Sequence, residues 1–487
     1  MKQSIFFARL SFASISKLKS LVKYRICIIL ALLASAILLL PAPARLQRGG
    51  AFAIKGGKIV TVTGATLASG IVVIRNGVIT DIGENIAIPN DAQIVDASGL
   101  SVYPGLIDAH TDLGMPQPQP SQIQPGGRRQ GPLAQPPAQP QAQTQTSQPA
   151  GPQLSGLEPE VTAADLLKPG GDAIEIARSL GITTVLTVPR EGIFAGQSAL
   201  INLAGNTAEE MIIKTPVALH IGFNPPRSGS YPSTLMGVLA FLRQSFLDAQ
   251  HYQALSARYA KDKRGMPRPP QDKSLMALQP VITADVPVIF SVNTENDIKR
   301  AINLAEEFKL RYILSGVSEG WKVTELLKAK KADVLVSLNF NPPRRRGGGF
   351  GGFEPESPEA TERDRENLHK NAAAIQKAGI RFAFHSGNLQ RPQEFLANAL
   401  KAVESGLPRD EALKALTIYP AQILGVGEQL GSLEKGKIAN IIVTTGDPLD
   451  RNTRVRHLFI DGRPVEVRRV EEQAQPGRRP GGPGRTP

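Results

Sequence analysis

Cysteine is almost missing: Cys27 is the only one in 487 residues. A single thiol can make neither an intramolecular disulfide nor a cysteine zinc cluster, so the fold must rest on a packed apolar core. Aromatic residues are also few, at 5% with one tryptophan. The core therefore falls to aliphatic side chains. No apolar run is as long as the roughly 20 residues that span a bilayer. The longest, Ile26 to Leu40, follows a basic stretch and precedes Pro41-Ala42-Pro43-Ala44, which offers an Ala-x-Ala cleavage site. This pattern reads as a secretory signal peptide over residues 1–44 and an exported, periplasmic or extracellular protein. The alternative is an uncleaved N-terminal anchor. No permanent membrane span is expected.

Acidic residues are outnumbered, 43 against 56 basic, for a net charge of +13. Where the excess sits matters more than its size. Six basic and no acidic residues fall within residues 1–44 (Lys2, Arg9, Lys17, Lys19, Lys23, Arg25). Arg128 and Arg129, Arg344 to Arg346 and the tail from Arg468 hold most of the remainder in segments rich in Pro, Gly or Gln. The folded body is thus close to neutral, and no nucleic-acid partner is expected. No Gly-rich phosphate-binding signature is present either.

What is there is a succession of short β-branched runs. Ile59 to Val62, Ile71 to Ile74 and Val78 to Ile82 predict strands, the last two joined by an Asn76-Gly77 turn. Residues 51–103 therefore predict a small β-domain. Ile441 to Thr444 and Val455 to Ile460 predict strands near the other end, so residues 431–467 complete that domain. Between them, Leu106 to His110, Thr183 to Val188, Pro216 to Ile221, Val286 to Val292, Tyr312 to Ser315, Val334 to Leu338 and Arg381 to His385 alternate with helical patterns, which predicts parallel βαβ units over residues 104–430. The clearest helix runs from Thr294, an N-cap, to Lys309, with Ile298, Ile302, Ala305 and Phe308 on one face. Residues 116–153 contain 10 Pro and 12 Gln with no acidic residue, and that composition predicts a disordered insert. The loop 342–358 and the tail 468–487 are expected to be flexible.

Three segments carry a resemblance to a known family. They are Ile74-Arg75-Asn76-Gly77-Val78-Ile79-Thr80-Asp81-Ile82-Gly83, Val102-Tyr103-Pro104-Gly105-Leu106-Ile107-Asp108-Ala109-His110-Thr111-Asp112, and Gly431 to Val443. In this order and spacing the chain resembles the amidohydrolase superfamily, specifically its imidazolonepropionase-like branch. The resemblance implies an α/β fold: a (β/α)8 TIM-like barrel with a small β-sandwich domain built from the N- and C-terminal segments. It implies hydrolysis of non-peptide carbon–nitrogen bonds, as in cyclic amides, assisted by a divalent metal, most often zinc.

The first strand of such barrels carries His-x-His, whose two side chains share one strand face. Here it reads His110-Thr111-Asp112. At the other positions where the resemblance places ligands or the general base, this chain has Ser291, Gly316 and Gly387. The polar residues left near predicted strand ends are His110, Asp112, His220 and His385, the candidate metal ligands. Imidazole and carboxylate suit zinc, iron or manganese. Two readings follow. One is a rearranged mononuclear site in a small-molecule amide hydrolase. The other is an eroded site in a catalytically inactive exported barrel that binds a ligand or serves as partner subunit, to a second copy or a paralogue. In the eroded case His110 and His385 are hydrogen-bonded, Asp112 caps the next segment and His220 is a satisfied strand residue. Trp321 is expected in the core, and Ser198 lacks a Gly-x-Ser-x-Gly elbow.

Overall fold

The computed structural model describes residues 50–116, 158–189, 192–225, 231–341, 358–387, 389 and 391–467. The leader, and all but the end residues Pro116 and Pro358 of the insert and the Arg/Gly-rich loop, lie outside the described residues, as does the tail. The chain divides into two units, 1–48 and 49–487, and every described residue belongs to the second.

Five strands open the described chain: β1 (Phe52–Ile59), β2 (Leu67–Arg75), β3 (Val78–Gly83), β4 (Gln93–Asp96) and β5 (Ser101–Pro104). The predicted strand at Ile59 to Val62 is displaced, because β1 ends at Ile59 and Val62 takes a positive φ of 75°. Gly56 and Gly57 fall inside β1. In the structure the strand passes them on irregular pairings at Lys55/Gly57 and Gly57/Ile59, so that Ile54 and Ile59 both reach the small core. At Asn76-Gly77 the turn is as expected, with φ of 53° and 85°, the two positive values that a type I′ turn requires.

The middle of the chain supplies β6 (Leu106–Thr111), β7 (Ile182–Thr187), β8 (Phe194–Gln197), β9 (Ala199–Asn202), β10 (Ile212–Lys214), β11 (Leu219–Gly222), β12 (Val288–Val292), β13 (Tyr312–Gly316), β14 (Asp333–Ser337) and β15 (Phe382–His385). The end supplies β16 (Ile441–Thr444), β17 (Val455–Ile460) and β18 (Arg463–Val465). Both ends of the chain build one sheet, in the order β18-β17-β16-β5-β1-β2-β3 with β4 on β1. The seam is the antiparallel pairing of β16 with β5, which sets Ile442 opposite Tyr103.

Strands β11 to β15 pair in parallel, in chain order, and β6 pairs in parallel with β7. The fold is mixed α/β. Main-chain and side-chain bonds tie β6 to the end of β15: Gly387 N–H donates to His110 O at 3.1 Å, and Ser386 N–H donates to Asp108 Oδ1 at 2.9 Å. Helices occupy the crossovers. The one spanning Glu295–Glu307 starts at Thr294, whose hydroxyl accepts from Asp297 N–H, and buries Ile298, Ala301, Ile302, Leu304 and Ala305.

One part of the interior comes from small and aliphatic residues of successive strands. Ile107 and Ala109 of β6, Ile289 of β12, Ile313 of β13, Leu335 of β14 and Ala383 of β15 cluster with Ala218. Side chains two residues apart share a strand face, so the next layer toward the carboxyl ends holds His220, Ser291, Ser315, Ser337 and His385. Aliphatic packing thus gives way to polar groups within one strand repeat.

Candidate active site

His110 is the fifth of six residues in β6, His220 the second of β11 and His385 the last of β15. The parallel register brings their rings together at the carboxyl ends of the strands, where α/β sheets place their ligand sites. The ring centres of His110 and His220 are 5.2 Å apart with planes at 82°, and those of His110 and His385 are 5.3 Å apart with planes at 27°. His220 and His385 are 1% and 4% exposed, and none of their four ring nitrogens has a hydrogen-bond partner. His110 Nδ1 lies 2.8 Å from Ser315 Oγ.

Burial pushes all three imidazoles toward neutrality. His110 is brought down to about 4 by desolvation, and His220 and His385 lie well below the usual histidine value through desolvation and the neighbouring His110. A neutral imidazole carries one N–H and one lone pair, and that is the form in which histidine binds a metal.

These residues can be tested against the divalent ion that the resemblance implies. Two imidazoles on one tetrahedral zinc, at Zn–N of about 2.0–2.1 Å, have ring centres roughly 5 Å apart. The spacing and donor type fit. As placed, however, no group of three or more His, Cys, Asp or Glu among the described residues could hold a metal ion. The fit is one of neighbouring rings rather than of a closed ligand shell.

The fourth candidate stands apart. Asp112 follows the end of β6, is exposed and lines a cavity of about 460 Å³ with Thr111, Met115, Lys168, Asp172 and Phe395. No hydrogen bond or ion pair of the described residues links its carboxylate to an imidazole, and it does not cap the next segment through its side chain. The expected hydrogen bonding of His385 and His220 is also not found, since their ring nitrogens are unpartnered. Trp321 is 38% exposed, with Lys322 Nζ 5.2 Å from its ring, because it sits in a short 3-10 turn after β13 and not on a core-facing strand. Ser198 is fully buried and its hydroxyl donates to Ala218 O.

Two groups were not anticipated. Asp108 is 1% exposed. Its Oδ1 accepts from His110 N–H at 3.3 Å and from Ser386 N–H at 2.9 Å, and burial pushes its pKa up to about 6. A lone acid inside an apolar strand was the available signal. Ser315 is the other; nothing in its sequence surroundings marks it.

The glycines at family positions have steric reasons. Gly316 has φ of +100°, and a Cβ there would lie 2.6 Å from Asn293 Oδ1 and 2.7 Å from Val292 O. At Gly387 a Cβ would lie 2.7 Å from His385 Nδ1. The His385 ring fills the space that a side chain at 387 would need.

With this geometry in hand, comparisons become informative. Residues 351–470 match the amidohydrolase family. The solved structure of an amidohydrolase from Thermotoga maritima superposes with a TM-score of 0.70 at 25% identity, covering 86% of this chain and all of that one. A Xaa-Pro dipeptidase with methionine in its active site gives a TM-score of 0.51 at 15% identity, over 85% of this chain and all of the other, a likeness of fold. Amidohydrolase tasK of Hapsidospora irregularis is 24% identical over 443 residues, 81% of this chain and 39% of that protein. The N-acetylglucosamine-6-phosphate deacetylase of Haemophilus influenzae is 46% identical over 52 residues, 11% of this chain and 13% of its own length. This chain therefore spans well under half of these curated relatives. Together the findings support assignment of the chain to the amidohydrolase superfamily.

Proposed function

We propose that this protein is an exported hydrolase of non-peptide carbon–nitrogen bonds, cyclic amides among them, on a closed (β/α)8 barrel of the imidazolonepropionase-like branch. A divalent ion, zinc before others, would be held at the mouth by His110, His220 and His385. The parallel order of β11 to β15 and the bonds from β15 back to β6 support closure.

The observation that carries the reading is the pair of buried imidazoles without partners. An orphaned buried polar group costs about 1–3 kcal/mol, and His220 and His385 bury four such nitrogens beside a third ring. A cation that takes up lone pairs offsets this cost. When bound, such an ion polarises a carbonyl and lowers the pKa of a bound water to about 7. The chain's own residues do the rest. Asp108 fixes the backbone at His110 and Ser386, the layer from Ile107 to Ala383 seals the floor against water, and Ser291, exposed at the end of β12, presents a hydroxyl to a substrate amide.

A second reading has a specific observation behind it. Gly316 and Gly387 leave no side chain where the resemblance places a ligand and the base. On that reading the mouth is a binding pocket without turnover. Metal content of protein purified from metal-replete medium separates the two. About one zinc per chain, lost in H220A/H385A, supports the hydrolase; a ratio near zero supports the pocket. Hydrolysis of cyclic amides or acyl-amino acids at the wild-type rate by H110A would remove His110 from the mechanism.

A further inference from the structure

We infer that the cavity beside β6 is a binding site for a small zwitterion with an apolar side chain, a free α-amino acid of the leucine type. The site needs neither a metal nor turnover, and so does not rest on the hydrolase reading above.

The cavity measures about 460 Å³, a size that suits a small molecule, and no imidazole lines it. Its two loops are pinned together: Lys168 N–H donates to Gly114 O at 2.8 Å and Met115 N–H to Asp112 O at 3.0 Å, while Thr187 Oγ1 donates to Leu113 O at 2.7 Å. Asp112 and Lys168 are thereby set around one space.

Asp112 and Asp172 bring negative charge to the lining and Lys168 brings positive, yet no ion pair of the described residues joins any of the three. The main chain reinforces the positive side. The helix Asp172–Ser179 begins at Gly171 without a side-chain cap, and the N–H groups of Gly170, Gly171, Asp172 and Ala173 donate to no main-chain carbonyl. Free first-turn N–H groups attract a carboxylate. A simple anion would meet Asp112 and Asp172, and a simple cation would meet Lys168 and the helix start. A ligand that carries both charges satisfies each side.

Thr111 points to a ligand independently. It lines the cavity and is 6% exposed, and its hydroxyl makes no hydrogen bond with a described residue. That leaves one buried donor and acceptor for a polar group of the ligand. Asp108 is in the same wall, with its Oδ1 already taken by the N–H groups of His110 and Ser386. Ile174 and Phe395, 1% and 0% exposed, give the cavity its apolar side, where an aliphatic side chain is removed from water.

Calorimetric titration of L-leucine into the full chain, stripped of metal, tests the site. Wild-type protein should bind leucine. Three probes each lack one part of it: 4-methylpentanoate the ammonium, 3-methylbutylamine the carboxylate, and glycine the side chain. Each should bind at least about 10-fold more weakly. K168M and D112N/D172N change exposed residues and should each weaken leucine by about 10-fold, whereas H220A/H385A should leave it within about 2-fold. No leucine binding by wild-type protein overturns the inference, as does equal binding of 4-methylpentanoate or 3-methylbutylamine. Unchanged affinity in folded K168M or D112N/D172N overturns it too, and a loss in H220A/H385A alone would put leucine at the mouth instead. Should the protein bind leucine as expected while holding no zinc and cleaving no amide, the hydrolase reading fails and this site stands.

Discussion

Replacing Gly105 by alanine probes the point at which the terminal sheet hands the chain to β6 and so to His110. An added Cβ would lie 2.1 Å from Thr183 Oγ1, 2.4 Å from Thr183 Cγ2 and 2.8 Å from Thr183 Cβ. Thr183 is fully buried, and its Oγ1 is 3.4 Å from both Leu106 O and Thr184 Oγ1. Rotation about χ1 can remove the first two contacts but not the third, because Cβ does not move. Carbon atoms prefer about 3.5–4.0 Å, so the strands have to part by the better part of an ångström. Overpacking of this kind costs typically about 1–3 kcal/mol, and the lack of a rotameric escape places G105A near about 3 kcal/mol. Urea unfolding followed by circular dichroism would measure it. The companion variant T183G removes the blocking Cβ, so G105A/T183G should be more stable than the sum of the two single losses predicts, by at least about 2 kcal/mol. A G105A loss below about 0.5 kcal/mol, or additivity within that margin, would refute the steric account.

Two more outcomes follow from buried polar groups. Asn440 Nδ2 donates to Asn202 Oδ1 at 2.7 Å and to Thr184 Oγ1 at 2.9 Å, and its Oδ1 accepts from Asp461 N–H at 2.8 Å; N440A removes all three bonds from this cluster and should cost about 2–3 kcal/mol in the same urea assay. Asp108 titrates at 3.8 when unfolded and at about 6 in the metal-free folded protein. Between these values the folded state keeps a proton that the unfolded state has released, so stability falls as pH rises through that window. At about 1.4 kcal/mol per unit the fall is roughly 3 kcal/mol. D108N keeps an acceptor oxygen without titrating, so the free-energy difference between wild type and D108N should change by that amount from pH 4 to pH 7, whereas parallel curves would show that Asp108 is not buried as described.

The fold could be read from the sequence where one physical signal dominated. Asn76-Gly77 has no good alternative to two positive φ values, and Thr294 with Asp297 has no better use than to cap a helix. The buried strands β6, β7 and β12 to β15 are apolar runs that place themselves within a residue or two. At β1 the reading slipped: the strand was expected at Ile59 to Val62, whereas it runs over Phe52–Ile59, because local propensity does not record the sheet partners that carry a strand across Gly56-Gly57.

The site was legible in part, for a reason that concerns volume. His110, His220 and His385 could be named because histidine is rare here and each lies at or near the end of an apolar run. Asp112 was named with them by position, yet the irregular pairing of β6 with β7 between Asp108 and Thr111 shifts which residues share a face, and alternation counted along the sequence no longer holds there. Gly387 shows the same difficulty from the other side. By position it is a missing base; in space it is the vacancy that admits the His385 ring, whose Nδ1 would lie 2.7 Å from any Cβ at 387. Neither residue has a meaning alone, because a side chain at 387 and an imidazole at 385 compete for one volume. With the His385 ring where it is, a side chain at 387 would have to displace it.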